Sequence, residues 1–502
     1  FNAFNIIITT LIFGLGVDYS IFITRGLIEK YTYGTDEMPA FRSGIIMSAL
    51  ATILCFGVLV FAKHPAIYSI SWIPIIGLSV VVLMSFTVQP WLFRFFIQKP
   101  QEKGNTPRTI LGVIYTFFTF GYFFVAGFLL NLLAQVFLPI IPTKKKFGVF
   151  HSVMQKYFWV LMYGTPFIPV RKIGKENLDL NSPKIIIANH TSQLDTPTMG
   201  MLHNRLIFMV NNRILQSKFF GKAIQMAGFY SASENLEEET QELEEKIRQG
   251  YSIIIFPEGT RSMTSAIQRF HKGAFYLSEK LKLDIQPVLI RGNADRLPKN
   301  DNLLKSGKLT LEFLPVIRHD DESWGKNYSE KTKNISRYFR EKFIELKRKD
   351  EDENYFRTKL KFNYIYKPKY IQKEFRNEFE TNKKIYHKLL SVLPVRARVL
   401  HLGCGYGVLD FLLVYDSAFR SVDAWDEDAE KVQIAQNTFT VNRFPVRFHK
   451  EYPDVFSVGD FVILQNEKEK VRFENLVNLG DWEIYFEENN LRVLKNKNAG
   501  RI

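Results

Sequence analysis

Three stretches of the chain carry no charge at all. Residues 43–62, 65–93 and 109–143 contain no Asp, Glu, Lys or Arg, which gives runs of 20, 29 and 35 residues. About 20 apolar residues cross a bilayer as one helix, so these runs exclude a purely soluble globular protein. A disordered chain is excluded as well, because 45 Phe, 22 Tyr and 6 Trp are far too many. There are two cysteines, Cys55 in an apolar run and Cys404 in a Gly-rich turn. They offer neither a disulfide framework nor a zinc site, and no metal is expected. The sequence begins with Phe1 and lacks a signal-peptide pattern, so it reads as a fragment missing its N-terminus.

Charge is distributed unevenly. Residues 1–99 hold 6 basic and 4 acidic side chains, residues 100–349 hold 36 and 23, and residues 350–502 hold 24 of each. The basic excess therefore sits on one central segment. Beside apolar spans, such a surface suits anionic lipid headgroups or a phosphorylated substrate. Nucleic acid is not expected, because the basic residues are dispersed and no nucleic-acid motif accompanies them.

Apolar spans are predicted at about 4–24, 43–62 and 69–93. The loops after the first and third carry Arg25, Lys30, Arg42, Arg94, Lys99, Lys103 and Arg108, and the loop between the second and third carries only Lys63. The positive-inside rule places the first group in the cytoplasm. The run 109–142 would be about 50 Å long as one helix. With the apolar residues 149–170 it reads as a helical hairpin, in or on the membrane, that returns the chain to the cytoplasmic side.

From 171 to 318 the pattern is α/β. Strands are predicted at 184–188, 251–256, 285–290 and 308–313, and a helix over 235–249, capped by Asn235 and ended by Gly250. A charged helix over 328–350 closes this segment. A helix over 374–393 precedes a new strand and turn from Arg398, and Asp460–Leu464 reads as a further central strand. The last 40 residues look thin for the closing strands of a sheet.

Asn189-His190-Thr191-Ser192-Gln193-Leu194-Asp195 follows the first predicted strand, and Thr196-Pro197 reads as a helix start. On a regular helix His190 and Asp195 would lie about 140° apart. In a turn they can meet, and the carboxylate can orient the imidazole as a general base. Alone, His-x4-Asp is better read as a structural pair. Phe256-Pro257-Glu258-Gly259-Thr260-Arg261-Ser262 follows the second strand and offers a carboxylate, a guanidinium suited to phosphate, and backbone N–H groups.

Together with Pro287–Gly292 and the helix pair, these residues resemble the PlsC-like lysophospholipid (1-acylglycerol-3-phosphate) acyltransferases over about 109–320. The resemblance implies His190 as general base, Asp195 as its partner, and Glu258, Gly259, Thr260 and Arg261 as substrate-binding residues. It also implies acyl-CoA or acyl carrier protein as thioester donor. In the family a basic residue often follows a Gly-Phe turn. Here that turn, Gly228–Ser233, has no Arg, which leaves the acceptor open.

Leu402-Gly403-Cys404-Gly405-Tyr406-Gly407 follows a strand, and Asp426 ends the next, 23 residues after Gly403. A Gly-rich turn lets a ligand approach the backbone, and the acid can accept ribose hydroxyls. A dinucleotide site is the alternative, but Gly-x-Gly-x-Gly fits it less well. The pattern resembles class I S-adenosylmethionine methyltransferases over about 370–480. The resemblance implies a cofactor site at Gly403, Cys404, Gly405, Gly407 and Asp426. His401 stands where this family usually has an acid.

Gly14-Leu15-Gly16-Val17-Asp18-Tyr19 places a carboxylate inside the first span. Such groups usually mark a proton or ion path. With Arg42-Ser43 and Phe61–Pro65, the segment resembles the MMPL branch of RND exporters, and the remainder of that bundle would lie upstream.

The expected architecture is a multidomain membrane protein. A transmembrane bundle fragment (1–99) precedes an α/β acyltransferase with its membrane helix pair (100–350) and a Rossmann-like methyltransferase domain (351–502). The expected function is acyl transfer to a lipid hydroxyl, joined to methyl transfer and to a lipid or pigment exporter in the inner membrane, with both soluble domains cytoplasmic. The alternatives are a transporter whose soluble domains only bind lipid or cofactor, and a methyltransferase anchored by an inactive acyltransferase part.

Overall fold

The computed structural model describes residues 3–137, 140, 143–164, 169–210, 229–231, 243–451, 459–486 and 491–498. The chain forms two compact units, one from Phe1–Arg108 with Asp352–Ile502, the other from Thr109–Glu351. The three segments expected from the sequence thus pack as two bodies, the first and last together.

In the first unit, helices α1 (Ala3–Tyr33), α2 (Met38–Val58) and α3 (Pro65–Phe93) pack side by side. Among the described residues four helices, including Ile110–Leu133 of the other unit, are long and apolar enough to cross a membrane. The three-helix core is Tyr19, Ile23, Leu27, Met38, Ile45, Ala49 and Leu78. Gly16 permits a close approach: a Cβ there would lie 3.3 Å from Val81.

The second unit begins with α4 (Ile110–Phe137) and α5 (Thr143–Tyr163), the predicted hairpin. Tyr157 ties the arms together, stacking on Tyr122 and donating its hydroxyl to the Phe123 carbonyl at 2.7 Å. Phe158 and Met162 of α5 are buried against the α/β core. Gly200 makes room for this packing, since a Cβ there would fall 2.4 Å from the Phe158 ring. Thus α5 lies on the domain, while α4 exposes Phe117, Phe118, Val125 and Phe128 on its other side.

Seven strands form the sheet of this unit: β1 (Val170–Ile173), β2 (Ile185–Ala188), β3 (Leu206–Val210), β4 (Tyr230–Ser231), β5 (Ser252–Ile255), β6 (Ile285–Arg291) and β7 (Leu309–Phe313), in the order β1-β7-β6-β2-β5-β3-β4. The β-branched runs Ile185–Ile187 and Ile253–Ile255 suit central strands covered on both faces. β2 pairs in parallel with β5 on one side and β6 on the other. The C-terminal ends of these three strands therefore open on one edge, where α/β sheets bind ligands. Helices α6 (Asp195–Gly200), α7 (Gly273–Leu281) and α8 (Tyr328–Asp350) complete the unit. Of the helix predicted over 235–249, residues 235–242 lie outside the described residues; 243–248 is helical, and Gly250 turns with φ +86°.

In the first unit, α9 (Lys369–Val392) leads into β8 (Arg398–Leu402), α10 (Val408–Asp416), β9 (Ser421–Trp425), α11 (Ala429–Gln436), β10 (Val446–His449), β11 (Phe461–Leu464), α12 (Glu467–Leu476), β12 (Trp482–Phe486) and β13 (Arg492–Asn496). The order is β10-β9-β8-β11-β13-β12. The sheet is closed after all, because β13 pairs antiparallel to both β11 and β12. Polar contacts seat this part on the helical ends of 1–108. Tyr366 donates to the Arg108 carbonyl at 2.7 Å, Asn442 to that of Gln101 at 2.9 Å, and the Lys367 ammonium lies 4.7 Å from the Tyr31 ring centre.

Candidate functional site

The loops after β2, β5 and β6 meet at the shared sheet edge. His190 and Asp195 come from the first. The Asp195 Oδ2 accepts the Thr191 and Ser192 N–H groups at 2.6 and 2.8 Å, and His190 Nδ1 lies 3.1 Å from it. Asp195 is fully buried, while the His190 side chain keeps 18% of its surface exposed. A carboxylate only accepts, so Nδ1 is the donor to it, and in a neutral imidazole Nε2 then keeps its lone pair. The imidazole stacks on Phe256 at 4.3 Å between ring centres, which fixes its plane. Asp195 is itself the first residue of α6, with Leu194 preceding the helix, so Thr196 is not the cap that the sequence suggests.

The third loop supplies a residue that the motifs do not reveal. Asn293, buried just after β6, donates Nδ2 to Asp195 Oδ1 and to Thr198 Oγ1, both at 3.0 Å. Every Asp195 oxygen is thereby engaged, and the carboxylate is held at a fixed angle to the imidazole. Asn189 joins the same strands, exchanging two hydrogen bonds with the Ile290 backbone at 2.9 and 2.7 Å.

Glu258 has a different place from the one its motif suggests. It is buried, and its two oxygens accept the backbone N–H groups of His190 and Gln268, each at 2.8 Å. Burial pushes its carboxyl up to about 7, against the pull of those two donors. Glu258 therefore clamps the β5 loop to the β2 loop and acts on His190 through the backbone. Ser262 N–H strengthens the junction by donating to the His190 carbonyl at 2.8 Å.

Gly259 and Thr260 are exposed and Arg261 is half-buried. Gly259 turns with φ +67°, and a Cβ there would press on the His271 ring at 3.2 Å. Lys299 donates its ammonium to the Arg261 carbonyl at 2.8 Å. The Lys299 ammonium thus reaches the turn that carries Arg261. Of the Gly228–Ser233 turn, residues 228, 232 and 233 lie outside the described residues.

A second arrangement lies at the C-terminal end of β8. Gly403, Gly405 and Gly407 all adopt positive φ, at +84°, +54° and +81°. Asp426 Oδ2 accepts the Gly405 N–H at 2.7 Å, and its Oδ1 accepts that of Asp428 at 2.9 Å. Each oxygen keeps a lone pair for a ribose hydroxyl. Among the described residues, chain neighbours aside, a Cβ on Gly405 would meet only Glu378 Oε2, at 3.7 Å, so the backbone there is open to a ligand. The turn thus fits a nucleoside cofactor. Cys404 is buried beneath it and His401 is fully enclosed.

Asp18 stands on an exposed face of α1, with Ile7, Thr10, Leu11, Gly14 and Leu15 lining an open groove of about 570 Å³ beside it. Its neighbour Tyr19 points into the helix core and donates to Ser48 at 3.1 Å. Among the described residues no group of His, Cys, Asp and Glu is arranged to hold a metal ion.

Known proteins resemble the chain segment by segment. Residues 2–108 match the MMPL family, 146–291 the Acyltransferase family, and 386–461 the Methyltransferase small domain. A 1-acyl-sn-glycerol-3-phosphate acyltransferase of Chlamydomonas reinhardtii is 24% identical over 44% of this chain and 69% of its own length. The chloroplastic one of Arabidopsis thaliana is 27% identical over 34% of this chain. The Saccharomyces cerevisiae one is 29% identical, also over 34%. The chain spans about half the length of these last two, 48% and 55%. The solved PlsC of Thermotoga maritima aligns over 47% of this chain and 97% of its own, at 20% identity and a TM-score of 0.42.

Proposed function

We propose that Thr109–Glu351 is a membrane-bound O-acyltransferase that esterifies the hydroxyl of a lysophospholipid or related lipid. The observation that carries this reading is the buried Asp195 holding His190 by Nδ1 at a shared strand edge. His190 Nε2 takes the proton of the acceptor hydroxyl, whose oxygen attacks the acyl thioester of coenzyme A or acyl carrier protein. Backbone N–H groups of the site stabilise the oxyanion. The thiol departs with a proton returned from His190, and the imidazole is neutral again. The relatives named for 1-acyl-sn-glycerol-3-phosphate support a phosphorylated acceptor.

We read Arg261 and Lys299 as the cations that receive such a headgroup. Arg261→Ala is expected to raise KM for 1-acylglycerol-3-phosphate about 10- to 100-fold, the range for a hydrogen bond to a charged group. KM for an uncharged monoacylglycerol should stay unchanged. Equal KM changes for the two acceptors would remove Arg261 from headgroup binding.

Residues 352–502 we read as a domain that binds S-adenosylmethionine at 403–407, with Asp426 on the ribose. When bound, that cofactor supplies a transferable methyl group. Residues 1–108 we read as part of an MMPL-type exporter bundle for lipids or pigments. The basic loops orient both soluble parts to the cytoplasmic face of the inner membrane. Single cysteines introduced near 180 and 360 should react with a membrane-impermeant maleimide only after the cells are opened. Labelling of intact cells would reverse the orientation.

A further inference from the structure

The cofactor turn lacks an acid at position 401, yet the ligand it fits brings an ammonium group. This inference rests on the reading of residues 352–502 as a cofactor domain. His401 does not answer the ammonium. Its Nδ1 is 2.9 Å from Asp410 Oδ1, and its Nε2 is 3.1 Å from Gln465 Oε1. His401 and Asp410 are both fully buried, so they satisfy one another beneath the turn. Asp426 is engaged on the other side, with Gly405 and Asp428.

Among the described residues two further carboxylates stand at the turn: Glu469, whose Cγ a Cβ on Gly403 would meet at 3.7 Å, and Glu378 at Gly405. Glu378 projects from α9, half-buried, and its Oε1 accepts the Tyr386 hydroxyl at 3.1 Å. Its Oε2 is the atom that a Cβ on Gly405 would meet. Among the described residues, apart from the chain neighbours of Gly405, no other atom lies within 4 Å of that position, so a ligand lying along Gly405 comes beside Glu378 Oε2. Burial pushes the Glu378 carboxyl up to about 7, with Tyr386, His401, Asp410 and Lys431 as the charged and titratable groups around it. A cation set against Oε2 would offset that cost.

We infer that Glu378 is the anionic partner of the ammonium on the amino-acid end of S-adenosylmethionine. It stands on a helix that precedes the glycine turn, instead of on β8 at position 401. The geometry divides the cofactor between two carboxylates: Asp426 at the ribose and Glu378 at the ammonium, with Gly405 between them.

Calorimetry on the full chain tests this with two probes, S-adenosylhomocysteine and its deaminated analogue, in which hydrogen replaces the amino group. The wild type should bind the amino compound about 10- to 100-fold more tightly than the analogue. Glu378→Gln should lower the affinity for S-adenosylhomocysteine to that for the analogue, and leave the analogue's own affinity unchanged. Equal loss for both probes would make Glu378 a structural residue and overturn the assignment, as would no loss for either. Absence of binding of both probes to folded wild-type chain would instead overturn the cofactor reading itself.

Discussion

Purified chain carrying His190→Ala should transfer acyl groups about 10²–10⁴ times more slowly than wild type, the usual cost of losing a general base. The substitution isolates chemistry from structure. Asp195 keeps its hydrogen bonds from Thr191, Ser192 and Asn293, so the loop does not depend on the imidazole. The Glu258 clamp uses the backbone N–H of residue 190, and Ser262 donates to its carbonyl; both survive. The melting temperature should therefore change little while the initial rate of thioester consumption collapses. An undiminished rate in the folded variant would refute His190 as the base.

Gly292→Ala should destabilise the second unit by about 3 kcal/mol or more, beyond the range of ordinary substitutions. Gly292 has φ +103°, and a Cβ there would sit 1.9 Å from the Lys308 carbonyl oxygen. The clash is with backbone at the start of β7, so no side chain can swing aside. Relief requires moving β6 against β7, where Arg291 pairs with Thr310. It also requires moving Asn293, which holds Asp195. Activity should fall with stability. Gly273→Ala is the control: nothing lies within 4 Å of its Cβ position, and it opens helix α7. Chemical denaturation midpoints compare the two. A Gly292→Ala chain as stable as wild type would show that the strands tolerate the shift.

Local pattern carried the sequence reading a long way, and its failures share a cause. The Ile-Ile-Ile runs announced β2 and β5, and turn chemistry placed His190 and Asp195 beyond the first. Asn293 stayed hidden because it lies 98 residues from Asp195. Only the pairing of β6 beside β2 brings the two together, and strand order is not written in local periodicity. The resemblance alone implies Glu258 as a substrate-binding residue. That it spends both oxygens on backbone amides follows from the neighbouring loop. The packing of 352–502 on 1–108 was not legible either. It includes contacts such as Tyr366 to Arg108, between segments separated by the whole second unit.

The most direct test of the central claim is mass spectrometry of lipids after wild-type chain, reconstituted in vesicles, is given an isotope-labelled acyl thioester and a lysophospholipid. The account predicts the label in an ester of the lysophospholipid, formed in step with release of the free thiol. Label recovered only as thioester or as free fatty acid would contradict it.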